Sequence, residues 1–241
     1  MQKYTPKLAG PFKEGDWPNL GCPVCEEGGL TIGLFEWEHQ DGQKDHDDSP
    51  VDLAGRFYAR LVCTRSGCAA WVVVSGDYTM DYSYDALTNF LDVWPMLTVR
   101  TIYPPVPIMD LTAAVPEPVR SAIGRASALV WLDPLAATGA LRSSVERLMD
   151  ELGIRVPPKT RDILHNRLLE FEKSEPVAGK LLLAAKYVGN GGAHESTRLT
   201  ATDALETAAM IEVALGVLYT QDNTALLARA DRIITAKRLV Q

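Results

Sequence analysis

Two close cysteine pairs carry the clearest chemistry in this sequence: Cys22-Pro-Val-Cys25 and Cys63-Thr-Arg-Ser-Gly-Cys68. They hold all four cysteines of the chain. Zinc takes four ligands tetrahedrally, and thiolates suit it. Two residues between Cys22 and Cys25 let the chain turn back so that both sulfurs meet one ion, and Gly67 eases the second turn. The alternatives are a disulfide pair or reduced cysteines in a core; disulfides belong to oxidising compartments, and no secretory signal is read. The expectation is a structural zinc held by Cys22, Cys25, Cys63 and Cys68. Four thiolates leave no open coordination position, so a catalytic metal is not expected. His39 and His46 lie near Asp45, Asp47 and Asp48, but that run reads as a solvated charged loop.

The second chemical stretch is Lys186-Tyr-Val-Gly-Asn-Gly-Gly-Ala-His194. Each glycine costs about 1 kcal/mol in a helix, so Gly189, Gly191 and Gly192 together break or kink one. If the stretch is helical, Asn190 and His194 are four residues apart and project together. If it is a turn, Gly191 and Gly192 let the backbone approach a ligand closely. Either way Asn190, His194 and Lys186 are neighbours. A histidine beside an amide and a cation suits general acid–base chemistry on a phosphodiester, or phosphate binding at Gly189, Gly191 and Gly192. The structural alternative is that Asn190 and His194 cap helix ends. No P-loop, dinucleotide-binding glycine fingerprint or Gly-x-Ser-x-Gly elbow is present. His165, mid-helix in Ile163–Leu168, reads as a packed or surface histidine, and Trp71, Trp94 and Trp131 as core or interface residues.

The elements that must position these groups divide the chain in two. Leu30–Glu38, Arg56–Val62 and Ala70–Val74 read as strands, the last ended by Ser75-Gly76-Asp77. Residues 77–112 are mixed and aromatic, and Tyr103-Pro-Pro-Val-Pro107 is an extended linker. From Pro116 the apolar period is helical: Val119, Ile123, Ala126 and Val130, then Leu141, Val145, Leu148 and Leu152 after the Asp133-Pro134 start signal. Thr160 is placed to cap a third helix with Leu164, Leu168 and Phe171 on one face. Pro176 opens a fourth with Val177, Leu181, Ala184 and Val188. Thr200-Ala-Thr-Asp203 has capping-box form and opens a fifth with Ala208, Ile211, Leu215 and Leu218. A sixth starts near Asn223. The expected fold class is α+β: a small zinc-ribbon-like β unit over 1–102, then an antiparallel helical bundle over 103–241.

Charge is uneven. Residues 1–110 carry eight basic and sixteen acidic side chains, net −8, whereas 111–241 carry sixteen and fifteen, net +1. The acidic half repels a phosphate backbone, which disfavours broad nucleic-acid binding there. No apolar run reaches membrane-span length, and residues 1–18 lack the apolar core of a signal peptide, so a cytoplasmic protein with no membrane partner is expected.

The region from Tyr103 to Tyr219 resembles the bacterial domain-of-unknown-function family 4145. The matching features are Tyr103-Pro104, the Val115-Pro116 helix start, Leu141-Arg142 with Val145-Glu146, and Lys186 followed by Gly189-Asn190-Gly-Gly-Ala-His194. The cysteine pairs resemble the zinc-binding N-terminal part of some members. That family is similar to the HEPN (higher eukaryotes and prokaryotes nucleotide-binding) superfamily of helical bundles. Many HEPN proteins are homodimers and metal-independent ribonucleases of toxin–antitoxin and anti-phage systems. The resemblance implies an HEPN-like bundle, a homodimer, and an RNA or nucleotide partner. Their motif is an arginine, a polar residue and then a histidine. Carried over, Asn190 takes the polar position and His194 the histidine position, while the arginine position falls at Gly189; Lys186, three residues earlier, is the nearby cation, without the guanidinium fork that grips phosphate bidentately. The functional expectation is an RNA- or nucleotide-acting module of a defence system, as an enzyme a metal-independent endoribonuclease. Its rivals are a non-catalytic dimeric adaptor with structural zinc that binds a protein partner, and a nucleotide sensor that uses the glycine turn without hydrolysis.

Overall fold

The structure is a computed structural model and describes residues 6–39, 53–156, 161–191 and 199–219. The architecture is α+β: an antiparallel five-stranded sheet followed, among the described residues, by five helices. The strands are β1 (Phe12–Lys13), β2 (Leu30–His39), β3 (Ala54–Cys63), β4 (Trp71–Asp85) and β5 (Phe90–Tyr103), ordered β1-β5-β4-β3-β2. On β3 the period of two is clean: Phe57, Ala59, Leu61 and Cys63 are buried, while Arg56, Tyr58 and Arg60 face solvent. Each large apolar side chain buried this way contributes about 1.5–3 kcal/mol, which pins the register. Val72, Val74 and Tyr78 of β4 and Leu97 and Val99 of β5 continue the same apolar layer.

The sheet is larger than the small β unit expected from the sequence. Ser75-Gly76-Asp77 does not end a strand; β4 runs on to Asp85 and pairs with β5 along a long hairpin. Gly76 sits where the β4–β5 register shifts, and a Cβ there would lie 2.0 Å from Thr98 O. It therefore marks a bulge with close backbone approach rather than a turn. The aromatic run Tyr78, Tyr82, Tyr84, Phe90 fits a strand on both sides of the hairpin tip.

The helices are α1 (Glu117–Leu129), α2 (Pro134–Glu151), α3 (Ile163–Glu172), α4 (Pro176–Gly191) and α5 (Ala201–Tyr219). Val119, Ile123, Ala126 and Val130 are buried as expected, as are Leu141, Val145 and Leu148. Asp133 caps α2, accepting from Ala136 N at 2.9 Å. The Thr200/Asp203 capping box is present: Asp203 Oδ2 accepts from Thr200 N at 2.8 Å, and Asp203 N donates to Thr200 Oγ1 at 3.3 Å. Two local expectations are corrected. The cap of α3 is Asp162, whose side chain accepts from His165 N, not Thr160, which lies outside the described residues together with the sixth helix. The buried stripe of α4 is Ala178, Leu182, Ala185 and Lys186, one position on from Val177, Leu181 and Ala184; Val177 is exposed. The apolar residues alone pointed to the wrong stripe because a lysine completes the right one.

Two apolar clusters organise the chain, one from Leu8 to Val106 around the sheet and one from Ile108 to Leu215 among the helices. Trp131 packs against both. In the helical cluster α1 lies on α2, α4 lies on α3 and α5, and α2 also touches α4 and α5. No helix among the described residues is long and apolar enough to cross a membrane.

Candidate metal centre and the Lys186 region

The register that aligns β2 with β3 also builds the cysteine cluster. Leu30, the first residue of β2, pairs with Cys63, the last of β3. The loop before β2 and the loop after β3 are thereby brought to one end of the sheet. In the first loop Cys22 N donates to Gly28 O at 2.8 Å and Glu26 N to Cys22 O at 3.0 Å, with Glu26 at φ 57°. In the second, Cys63 N donates to Ala70 O at 2.8 Å and Cys68 N to Arg65 O at 3.2 Å, with Gly67 at φ 87°. Thr64 N to Gly29 O at 2.9 Å ties the two loops together.

All four cysteine sulfurs lie within 4.8 Å of one another, with Cys22 to Cys68 at 3.9 Å and Cys25 to Cys63 at 3.7 Å. These are not disulfide distances, which are about 2.05 Å. They match a tetrahedron of metal–sulfur bonds about 2.3 Å long, whose edges are about 3.8 Å. Cys22 and Cys63 are buried and Cys25 and Cys68 half-buried, so the sulfurs face each other rather than solvent. Backbone amides point at the sulfurs: Gly28 N donates to Cys25 Sγ and Arg65 N to Cys63 Sγ, each at 3.4 Å. The Glu27 and Gly28 amides draw the Cys25 thiol down to about 6. At Cys63 the Arg65 amide pulls the same way, but burial and hydrogen bonds to the other cysteines outweigh it and push the thiol up to about 12. Such a cluster holds one thiolate readily and resists the next, so a cation is the natural complement of a fully ionised set. The four residues can hold one metal ion.

In the helical part, Lys186 is buried at 1% exposure, and its Nζ lies 2.5 Å from Asp162 Oδ2. The same Nζ lies 4.6 Å from the centre of the Tyr187 ring, and Tyr187 OH is 3.3 Å from His165 Nδ1. Asp162 sits at φ 48°, a left-handed conformation that aspartate tolerates, and it both caps α3 and faces Lys186. The hydrogen bond from Lys186, aided by the His165 amide, holds the Asp162 carboxyl below its usual range despite some desolvation. Three residues after Lys186, Gly189 is inside α4 and packs on α2. A Cβ there would meet Arg142 Cβ at 2.9 Å and Thr138 O at 3.2 Å.

Residues 124–236 match the family described as a domain of unknown function (DUF4145). This part of the chain is similar to that family. No curated protein and no solved structure matches the chain.

Within the DUF4145 region, the six residues singled out by sequence fall into three groups. Lys186 and Gly189 lie on α4, Lys186 buried against Asp162 and Gly189 against α2. Asn190 and Gly191 form the end of α4, so the helix runs through the first two of the three glycines. Gly192 and His194 lie outside the described residues. Sequence reading missed Asp162 and Arg142. Asp162 was detectable as a capping residue directly before the apolar pair Ile163-Leu164. Arg142 enters the sequence reading only through the Leu141-Arg142 resemblance, with no role attached; it is half-buried beside Gly189, bonds Glu146 at 2.9 Å, and its buried Nε has no partner among the described residues. Because Gly189 admits the Arg142 side chain, Gly189→Arg should push α2 and α4 apart and lower stability by about 1–3 kcal/mol in a denaturant titration.

Proposed function

We propose that the chain is a non-catalytic interaction module: a zinc-stabilised sheet joined to a DUF4145 helical region that pairs with a second copy and presents the sheet to a protein partner. The observation that carries this reading is the Lys186–Asp162 pair. A cation that grips phosphate must be reachable and must exchange its counter-ion for the ligand; Lys186 is buried at 1% exposure and bonded to its own carboxylate at 2.5 Å. The close approach of Gly189 to Arg142 supports the same reading, since it leaves no room for an arginine side chain at the motif position. Zinc is the metal proposed, because four soft thiolates at tetrahedral spacing favour it and close the coordination shell.

One observation favours a second reading, an RNA- or nucleotide-binding site of a defence system with endoribonuclease activity. Arg142, whose Cβ and Cδ pack nearest Gly189, keeps a buried Nε with no partner among the described residues while its Nη2 bonds Glu146. The deciding experiment is incubation of structured and single-stranded RNAs with the purified chain in the presence of chelator, alongside His194→Ala. The expected result is no cleavage by either folded protein. Cleavage by the wild type that His194→Ala loses overturns the adaptor reading and establishes a metal-independent ribonuclease.

A further inference from the structure

We propose that the outer half of the β4–β5 hairpin, Asp81–Asp92, is a docking arm for a basic, amphipathic segment of a partner protein. This deepens the adaptor reading above and rests on it. Pairing of β3 with β4 stops at Ala54 opposite Thr79, and pairing of β1 with β5 stops at Lys13 opposite Met96. Beyond those points β4 and β5 pair only with each other among the described residues, out to Asp85 opposite Phe90. Every residue from Asp81 to Asp92 is exposed.

A two-stranded hairpin standing alone is marginal in water, yet this one has a built tip. Asp85 accepts from Leu87 N at 2.9 Å and from the Thr88 hydroxyl at 2.8 Å, Tyr84 OH donates to Asn89 Oδ1 at 2.7 Å, and Asn89 takes the left-handed φ of 53°. The arm is thus held in one shape while its side chains remain uncovered among the described residues. Cross-strand register sorts them: Tyr82 opposes Val93 and Tyr84 opposes Leu91 on one face, while Asp81 opposes Trp94 and Ser83 opposes Asp92 on the other. Leu87 stands at the tip, 97% exposed.

Charge decides the occupant. Between Asp81 and Asp92 there are three aspartates and no lysine or arginine. Nucleic acid is repelled by such a surface. Strand pairing with a second copy is disfavoured too: a two-fold pairing of β4 centred on Ser83 sets Asp81 against Asp85, and one of β5 centred on Asp92 sets that carboxylate against its own copy. A segment that alternates basic and apolar residues satisfies both faces, covering Tyr82 and Tyr84 while neutralising Asp81 and Asp92.

The test titrates the full chain with a dye-labelled synthetic peptide of alternating lysine and leucine and with its glutamate–leucine counterpart. The chain's net charge of −7 attracts any cation, so the deciding reading comes from arm variants. Tyr82→Ser/Leu87→Ser and Asp81→Asn/Asp92→Asn should each weaken lysine-peptide binding by about tenfold or more, with melting temperatures unchanged because these side chains are exposed. Equal binding of the two peptides, or variants that bind as tightly as wild type, overturns the proposal. So does an arm-dependent dimer in light scattering, which assigns the arm to a second copy, or RNA binding that the arm variants lose. Failure of the adaptor reading is separately visible, as RNA cleavage lost in His194→Ala and kept in the arm variants.

Discussion

Chelation of a metal ion bound at the cysteine cluster should unfold the two cysteine loops while leaving the helices intact. Sulfurs at 3.7 and 3.9 Å have no covalent tie, and without a cation thiolates so close repel or take up protons. Structural zinc contributes about 10–16 kcal/mol of apparent folding energy in small fingers, where the metal is most of the core. Here the sheet has its own apolar layer around Phe57, Leu61, Val72 and Val74, so the loss should stay local. The amides of Cys22, Leu30, Cys63 and Thr64, which bond Gly28, Leu20, Ala70 and Gly29, should lose hydrogen-exchange protection together on chelation. Amides within α1 and α2 should keep theirs. Cys63→Ser should lower metal affinity by more than the roughly 10–100-fold typical of outer-shell partners, since it deletes a ligand itself. Metal analysis should return about one zinc per chain. Much less than one, with four free thiols titrating in the folded protein, overturns the metal centre.

The adaptor reading joins the two halves of the chain through particular contacts. Trp131 packs against both apolar clusters, Ile108 N reaches Ser127 Oγ on α1 at 3.4 Å, and Asp110 N donates to Glu212 Oε1 on α5 at 2.8 Å. The segment after β5 is therefore tied to the helices on two sides rather than left as a free tether. A partner gripping the sheet would load the helical region directly, which is what a coupling module needs.

Sequence made the cysteine cluster legible because cysteine spacing is local chemistry: two short loops declare themselves without knowledge of the sheet between them. The long hairpin was hidden for the opposite reason. Ser75-Gly76-Asp77 has turn composition, and only the opposing strand reveals that Gly76 is required by Thr98 O. The helix faces were read correctly in α1 and, apart from the exposed Leu152, in α2, where the buried stripes are apolar but for Ser127, Thr138 and Ser144. They were read one position off in α4, where Lys186 belongs to the buried stripe and its partner Asp162 is 24 residues distant. A buried ion pair leaves no mark on hydrophobic periodicity, so a lysine that looked available for chemistry proved to be covered.

Asp162→Asn should destabilise the chain by about 2 kcal/mol, whereas Lys186→Met should be near neutral. Asparagine keeps the α3 cap and tolerates the left-handed φ of 48°, so this substitution removes the charge and little else. It strands an ammonium that is 1% exposed. Breaking a buried pair this way costs about 3–5 kcal/mol; the Asp162 side chain is 47% exposed, water reaches the pair from that side, and the cost is reduced accordingly. Methionine at 186 instead fills the same space without a charge, and Asp162 rehydrates. The pH dependence separates the two. The Asp162 carboxyl is held below its usual range, chiefly by Lys186. Its contribution is therefore complete above the ordinary aspartate value of about 3.9 and disappears as pH falls through the lower folded value. The stability gap between wild type and Asp162→Asn should be constant near neutrality and close in acid, while Lys186→Met should show no such acid-sensitive gap to its own Asp162→Asn double variant. Denaturant titrations of the four proteins across pH measure this coupling directly. If Lys186→Met instead proves as costly as Asp162→Asn, the lysine is making a contact beyond Asp162 and the Tyr187 ring, and the case for a covered, non-catalytic cation falls with it.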